Sequence, residues 1–327
     1  MIIVLKSLVV EKQIYKEIFN AYEIIKPLIR KTPLYKSSYF SKLFSGEIFF
    51  KLENLQYTGS FKLRGALNKL SSLSPNQRRL GVISASTGNH GSALAYGAYS
   101  LGIKCSIIVP KEISKSKLKM MQNYIAKVEH YGIDCIQCEK KAKMISLNSG
   151  KTYVSPYNDY QVIAGQGTAG LEISSQTQPL DIIFISVGGG GLVSGVGSYL
   201  KKIWPSLKIV GCSPKNSAVM IQSIKAGKVL QLESKNTISD GTAGGIEEDT
   251  ITLSLCKNLI DETILLSEKE IKDAMKIYMK NENQIIEGAA GTVVAGMIKM
   301  KSYLRNKKVG AIICGGNINF GILKKVI

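Results

Sequence analysis

The first residues lack an apolar run long enough to cross a bilayer. "MIIVLKSLVV" is interrupted by Lys6 and gives way to the charged, helix-like "EKQIYKEIFNAYEIIK", so neither a signal peptide nor a membrane span is expected. A cysteine framework is missing too. Six cysteines in 327 residues follow no regular spacing, which fits free thiols in a reducing, cytoplasmic setting. Cys135 and Cys138 form a C-x-x-C pair, but "GIDCIQCEKK" offers neither a second pair for zinc nor a redox context, and the spacing reads as coincidence. Carboxylates are scarce: 24 Asp and Glu against 43 Lys and Arg leave a formal charge of +19. A polyanion partner would account for that surplus. However, no arginine tract interleaved with aromatics is present, and the lysines are dispersed, with only short clusters such as "KSKLK" and "EKKAKM". The surplus reads as a lysine-rich solvated surface, and neither nucleic acid nor membrane is an expected partner. Repeats and low-complexity linkers are absent, so a second domain would be an insertion into the first.

What is present is a core and an alternation. A hydrophobic content of 45% over this length can bury one large or two ordinary domains. Apolar, β-branched runs ("GVISAS", "CSIIVP", "DIIFISVG", "KIVGCSP", "VGAIICGG") alternate with helical stretches ("GSALAYGAYSLG", "GLVSGVGSYLKKIW", "EKEIKDAMKIYMKNE"). That order predicts an α/β fold of parallel sheets covered by helices.

Ligands of open α/β sheets sit where strands end in turns that open helices. The strongest such turn is "ISVGGGGLVSG". Gly188, Gly189, Gly190 and Gly191 carry no side chains, so their amides can converge on an anion at the positive end of the following helix. Gly189, Gly191 and Ser194 nearly fit a dinucleotide fingerprint, but the next strand ends at "GCSP" without the carboxylate that would hold a ribose. Leu192 and Val193 stand where a triphosphate loop needs Gly-Lys-Ser/Thr. Tight strand-to-helix packing explains one glycine and hardly four, which leaves a single phosphate monoester as the ligand. In "SASTGNHGSALAYGA", Ser86, Thr87, Gly88, Asn89 and His90 fall at a helix N-terminus, where amides can take a carboxylate; capping alone also accounts for Ser86 or Asn89. His90, one of only two histidines, reads as a packed or capping group rather than a catalyst. In "IICGGNINF", Cys314 closes an apolar strand where the other turns converge, and a buried structural cysteine fits equally well. Lys62, in "YTGSFKLRGA", precedes a run of small residues that lets a ligand approach.

Together "SFKLRGA", "STGNHG", "VGGGGL" and "CGGN", in that order and over nearly the full length, resemble the fold type II pyridoxal phosphate enzymes. The resemblance falls within the threonine/serine dehydratase and serine racemase group. "STGNHGSALAY" and "DGTAGGI" are most similar to the hydroxyectoine-utilisation type of threonine dehydratase. It implies a two-domain, tryptophan synthase β-like architecture of open twisted sheets flanked by helices. A large cofactor domain would comprise residues 1–80 and 156–327, and a small domain residues 81–155, closing over the substrate. It also implies the roles of the residues. Lys62 would form the Schiff base with pyridoxal 5'-phosphate and then act as base, Phe61 would pack beside the ring, and Asn89 would meet the ring hydroxyl. Gly188, Gly189, Gly190, Gly191 and Leu192 would cup the phosphate, Gly241 in "SDGTAGG" would lie close to the ring, and Cys314 would face the pyridine nitrogen. Amides of Ser86, Thr87, Gly88, Asn89 and His90 would hold the substrate carboxylate.

A thiol does not keep the pyridine nitrogen protonated as a carboxylate would, which weakens the electron sink and favours elimination over transamination. The implied activity is therefore an ammonia-lyase reaction on L-threonine, L-serine or a 3-hydroxy acidic relative, giving a 2-oxo acid and ammonia. Three departures bound it. Thr87 replaces the serine that racemase-like relatives use as a second acid/base, so racemisation is expected to be minor. Ser213, Lys215 and Val219 supply no carboxylate where cation-activated relatives have acidic ligands, so no metal is expected there. The chain ends soon after "CGGNINFGILKKVI", so isoleucine feedback through a regulatory domain is not expected. The partners implied are a small amino-acid substrate and a second copy in a homodimer. Racemisation and 3-hydroxyaspartate dehydration are the alternatives within the group; a nicotinamide oxidoreductase is disfavoured by the missing acid.

Overall fold

Burial follows directly from the apolar runs. The computed structural model describes the backbone of residues 2–113, 115–133 and 135–326, with side chains except at 2–9, 115–117, 120 and 135. The Cys135 half of the C-x-x-C pair and part of the "KSKLK" cluster thus lie outside the described side chains. The strands, in chain order, are β1 (Leu34–Lys36), β2 (Glu47–Leu52), β3 (Val82–Ala85), β4 (Cys105–Val109), β5 (Lys127–His130), β6 (Thr152–Tyr153), β7 (Ile182–Ser186), β8 (Lys208–Pro214), β9 (Glu262–Leu266) and β10 (Lys308–Ile313). They form a six-stranded sheet in the order β1-β2-β10-β7-β8-β9 and a four-stranded sheet in the order β5-β4-β3-β6. Every pairing is parallel except β1 with β2. β3, β4 and β7 are buried at every position, as strands covered on both faces must be. β1, β5, β6 and β9, which carry polar residues or span only two or three positions, occupy the edges.

Helices begin and pack where the sequence says they should. In the helix Glu268–Glu282, Ser267 and Glu270 form a capping box, and Ile271, Ala274, Met275 and Tyr278 are the buried stripe at helical spacing. The helix Gly288–Lys299, apolar and small, is buried along almost its whole length against β7, β8 and β10. The helix Lys62–Ser71 joins the two halves of the molecule. It lies against the helix Asn89–Ser100, which follows β3, and against the helix Tyr160–Gln176, which precedes β7. Among the described residues no helix is long and apolar enough to cross a membrane, and the five described cysteines are buried and form no disulfide with one another.

One turn into that joining helix sits a fully buried ionic cluster. The Arg64 guanidinium forks onto Glu53 (2.8 Å from both Nε and Nη2) and onto Glu172 (2.9 and 2.8 Å), with a further bond to Thr168 at 3.2 Å. Lys51 completes it, donating to Glu172 at 2.6 Å, to the Thr32 carbonyl at 2.7 Å and to Gln176 at 3.0 Å. Burial by itself would raise the pKa of Glu53, but the adjoining Arg64 charge and its hydrogen bonds hold it below the usual carboxylate value. Two cations and two carboxylates thus satisfy one another where water is excluded, and removal of one member leaves its partners charged and unpaired. Arg64→Met is expected to destabilise the protein by about 3–5 kcal/mol, a fall in Tm of roughly 10 °C, and Arg64→Lys will not restore it because an ammonium cannot make the forked contacts. Calorimetry of both variants checks this; an unchanged Tm in either would show the cluster to be expendable.

Candidate active site

Lys62 is placed by main-chain pairing. Ser60 forms an antiparallel bridge with Gly315, the Phe61 amide donates to the Cys314 carbonyl at 3.0 Å, and the Gly316 amide donates to the Gly59 carbonyl at 2.9 Å. The chain entering the helix Lys62–Ser71 is thereby stitched to the residues leaving β10, and Lys62 and Cys314 come to line the same cavity. Lys62 Nζ donates to the Pro156 carbonyl at 2.8 Å and stands 5.2 Å from the centre of the Phe61 ring. Desolvation lowers its pKa to about 8, against the opposing pull of Cys314 and Glu287. The Cys314 thiol moves the other way: burial, reinforced by the Glu287 carboxylate, pushes it well above its ordinary value although Ser186 hydrogen-bonds it. Near neutral pH the cavity therefore holds an amine that loses its proton readily and a thiol that keeps its own.

All ten residues expected to contact the cofactor line this one cavity: Phe61, Lys62, Asn89, Gly188, Gly189, Gly190, Gly191, Leu192, Gly241 and Cys314. β7 ends at Ser186, and the glycine run leads into the helix Gly191–Ile203, whose first amides have no earlier helical carbonyl to bond. The reason for four glycines differs from the sequence argument. Added Cβ atoms would meet the Thr242 backbone at 2.9 Å (Gly188), the Tyr157 ring (Gly189), Cys256 Sγ at 2.5 Å (Gly190) and Gln166 Oε1 at 2.8 Å (Gly191), and Gly190 also adopts φ 84°. Packing thus accounts for all four, not one. What favours an anion is that the run borders the cavity at a helix N-terminus, where the first amides have no helical partner.

Ser86, Thr87, Gly88, Asn89 and His90 line an adjoining cleft that Lys62, Gly189 and Gly241 also border. Asn89, the first residue of its helix, donates to both oxygens of Glu287 (2.8 and 3.0 Å) and accepts from Asn317 at 2.7 Å; Asn317 also donates to the Thr58 carbonyl at 2.8 Å. His90 is buried with Nε2 3.1 Å from the Val154 carbonyl, and burial, followed by the nearby Lys62 charge, lowers its pKa to about 3. It is a neutral packed group.

Sequence reasoning missed Tyr157, Ser186, Thr242, Glu287 and Ala289 in the cavity wall, and the Pro156 carbonyl that holds the lysine. Only Glu287 carried a signal: a lone acid immediately before the small, apolar "GAAGTVVAG" helix.

Because a protonated amine is not nucleophilic, the reactivity of Lys62 should rise as pH passes its pKa. With any bound aldehyde removed, labelling of Lys62 by an amine-selective reagent should increase through about pH 8, while exposed lysines gain reactivity only toward about pH 10. Peptide mapping across pH reads this; a Lys62 profile matching the exposed lysines would contradict the desolvated site.

A family profile described as "Pyridoxal-phosphate dependent enzyme" matches residues 25–315. The L-threonine ammonia-lyase of Thermotoga maritima is 37% identical over 312 residues, covering 95% of this chain and 77% of that protein. The serine racemase of Schizosaccharomyces pombe is 37% identical over 305 residues, 93% of this chain and 94% of that one. Among solved structures, maize serine racemase superposes with a TM-score of 0.90 at 31% identity, covering 95% of each chain. The cavity fits the group these relatives imply: an aldehyde needs an amine that sheds its proton near neutrality and a phosphate needs unbonded amides, and the lining holds both the desolvated Lys62 and the glycine turn that opens the helix Gly191–Ile203. The chain belongs to the pyridoxal-phosphate-dependent enzymes, fold type II, and pyridoxal phosphate is its cofactor.

Proposed function

We propose that the protein is an ammonia-lyase that converts a β-hydroxy amino acid, L-threonine or L-serine, to a 2-oxo acid and ammonia. The observation that carries this reading is the pairing, in one cavity, of a desolvated Lys62 amine with a thiol at Cys314 that stays protonated. Relatives named L-threonine ammonia-lyase and L-threonine dehydratase support it.

In this reading Lys62 would hold the cofactor aldehyde, amides of Gly188–Leu192 would hold its phosphate and Asn89 its hydroxyl, with Phe61 beside the ring and Gly241 close to it. Bound pyridoxal phosphate supplies an electron sink for the substrate Cα. The chain does the rest. Amides of Ser86–His90 hold the substrate carboxylate and fix the Cα–H bond in the orientation that loses its proton. Lys62, as a free amine, would accept that proton at Nζ. The β-hydroxyl would depart as water with a proton given by a nearby acid, and the released enamine would take up water to yield the 2-oxo acid and ammonia. The neutral thiol of Cys314 keeps the sink weak, which favours elimination over transamination.

We also infer that residues 81–155 act as a small closing unit on a large unit made of 1–80 and 156–327; the placement of β3 to β6 in their own sheet supports this. A homodimer, the usual state in the family, would cover exposed apolar side chains such as Leu55, Ile285 and Phe320. The buried cysteines, which form no disulfide with one another, support a reducing, cytoplasmic location.

A racemase reading is kept in view by the relatives named serine racemase and by the Thr87 hydroxyl in the cleft. A screen of β-hydroxy amino acids for equal release of 2-oxo acid and ammonia tests the main reading. Lys62→Ala should lose at least roughly 10³-fold of that turnover, and retention of it would rule out Lys62 as the base. If Thr87 serves the second face only poorly because its methyl restricts the hydroxyl, Thr87→Ser should raise racemisation relative to elimination, and Thr87→Ala should abolish it while sparing elimination. Chiral chromatography of residual L-serine reads both. Wild-type protein that racemises serine faster than it deaminates it would overturn the choice.

A further inference from the structure

One carboxylate outside the cofactor cavity ties together three segments of chain that border the cleft. Glu247 lies in the connection between the turn Asp240–Thr242 and the helix Thr252–Leu259. Its Oε1 accepts from Ser155 Oγ at 3.2 Å, and its Oε2 accepts from Asn158 Nδ2 at 2.9 Å and pairs with Lys143 Nζ at 3.1 Å. The Glu247 amide donates to the Tyr157 hydroxyl at 2.8 Å, and Asn158 Oδ1 accepts from the Ile251 amide at 3.0 Å. The Glu247 side chain is 12% exposed, so these partners, not water, satisfy it.

Each of the three segments does something at the site. Lys143 belongs to the helix Cys135–Ser149, which packs on β3 and β4 of the four-stranded sheet. The Ser155–Asn158 turn supplies the Pro156 carbonyl that holds Lys62 Nζ and the Tyr157 ring that abuts Gly189. The connection follows directly on the turn that holds Gly241, in the wall of the cofactor cavity. Other titratable groups that feel Glu247 are Glu139 on the same helix as Lys143, Tyr153 on β6 and Tyr157, the last of which also feels Asp249. The field of Glu247 is felt across the cleft: burial, and after it the Glu247 charge, raises Glu139 to about 7.

We propose that Glu247 is a positioning residue for the reaction, a clamp that holds the helix Cys135–Ser149 and the Ser155–Asn158 turn to the segment that follows Gly241 and so sets the width of the cleft that Lys62 borders. The inference rests on the reading of Lys62 as the working lysine. A clamp that spans the cleft acts on substrate capture more than on the chemical step, because the reacting groups do not include it. Among the described residues Lys143 is the cation that pairs with Glu247 from the four-stranded sheet's side, so removing either end of that pair opens the same contact.

The test uses holoenzyme carrying Glu247→Gln, Lys143→Met, or both, and two readouts. Hydrogen exchange should quicken together in residues 135–149 and 155–158 of Glu247→Gln, and in 135–149 of Lys143→Met, with the cofactor absorbance retained. With L-threonine, KM should rise by at least about fivefold while kcat changes less, and the double variant should be no worse than Glu247→Gln alone. Exchange that quickens only within residues 240–251, or effects of the two substitutions that simply multiply, would overturn the clamp. Exchange is read without turnover, so the clamp is decided separately from the lyase assignment: a protein inert toward every β-hydroxy amino acid but showing the coupled exchange change would sink the activity and keep the clamp.

Discussion

Arg64 is the constraint on which the site depends. It follows Lys62 by two residues, is wholly buried, and binds two carboxylates that come from other parts of the chain: Glu53 just after β2 and Glu172 on the helix Tyr160–Gln176. That second helix begins just after the turn whose Pro156 carbonyl holds the Lys62 amine. The guanidinium thus fixes the helix carrying the lysine to the element that positions the lysine's own hydrogen-bond acceptor. Main-chain pairing of Ser60 with Gly315 fixes the other side, setting the lysine in the same cavity as Cys314. Rigid placement of this kind lets a long, flexible side chain act at one place.

Desolvation then sets the chemistry. The same low-dielectric surroundings push Lys62 down, Cys314 up and His90 down, each toward its uncharged form. Ionic groups survive there only where partners are at hand, as in the Arg64 cluster and at Glu287, whose carboxylate is engaged by Asn89 and the Asn317 amide. The result is a pocket in which the Lys62 amine and the Cys314 thiol are both pushed toward their neutral forms, while the one carboxylate among the described lining residues, Glu287, is held by hydrogen bonds from Asn89 and Asn317.

The parts legible in the sequence were those fixed by local pattern. "CSIIV" and "IIFIS" announce buried parallel strands because no position in them tolerates water, and the turns after β3, β7 and β10 announce ligand sites because glycine and small polar residues stand where strands end. The ten expected cofactor contacts do share a cavity. Partnership between distant residues was not legible. Arg64 was visible inside "SFKLRGA", yet a buried arginine looks like a solvated one until Glu172, 108 residues away, is seen beside it. Tyr157 and Glu247 matter through neighbours that only the fold supplies. The glycine run was read as a turn, but the packing that also demands glycine at each of its four positions was not legible: Tyr157, Cys256, Gln166 and the Thr242 backbone crowd it from outside, and no pattern within the run reveals them.

The account stands on Lys62 being the residue that carries the cofactor, and that can be measured without any assumption about substrate. Borohydride reduction of the purified holoenzyme, followed by proteolysis and mass spectrometry, fixes the cofactor to whichever lysine holds it. The expected result is a single pyridoxyl phosphate adduct on the peptide containing "SFKLRGA", at Lys62. An adduct at any other lysine, or none in protein that retains the cofactor, would contradict it.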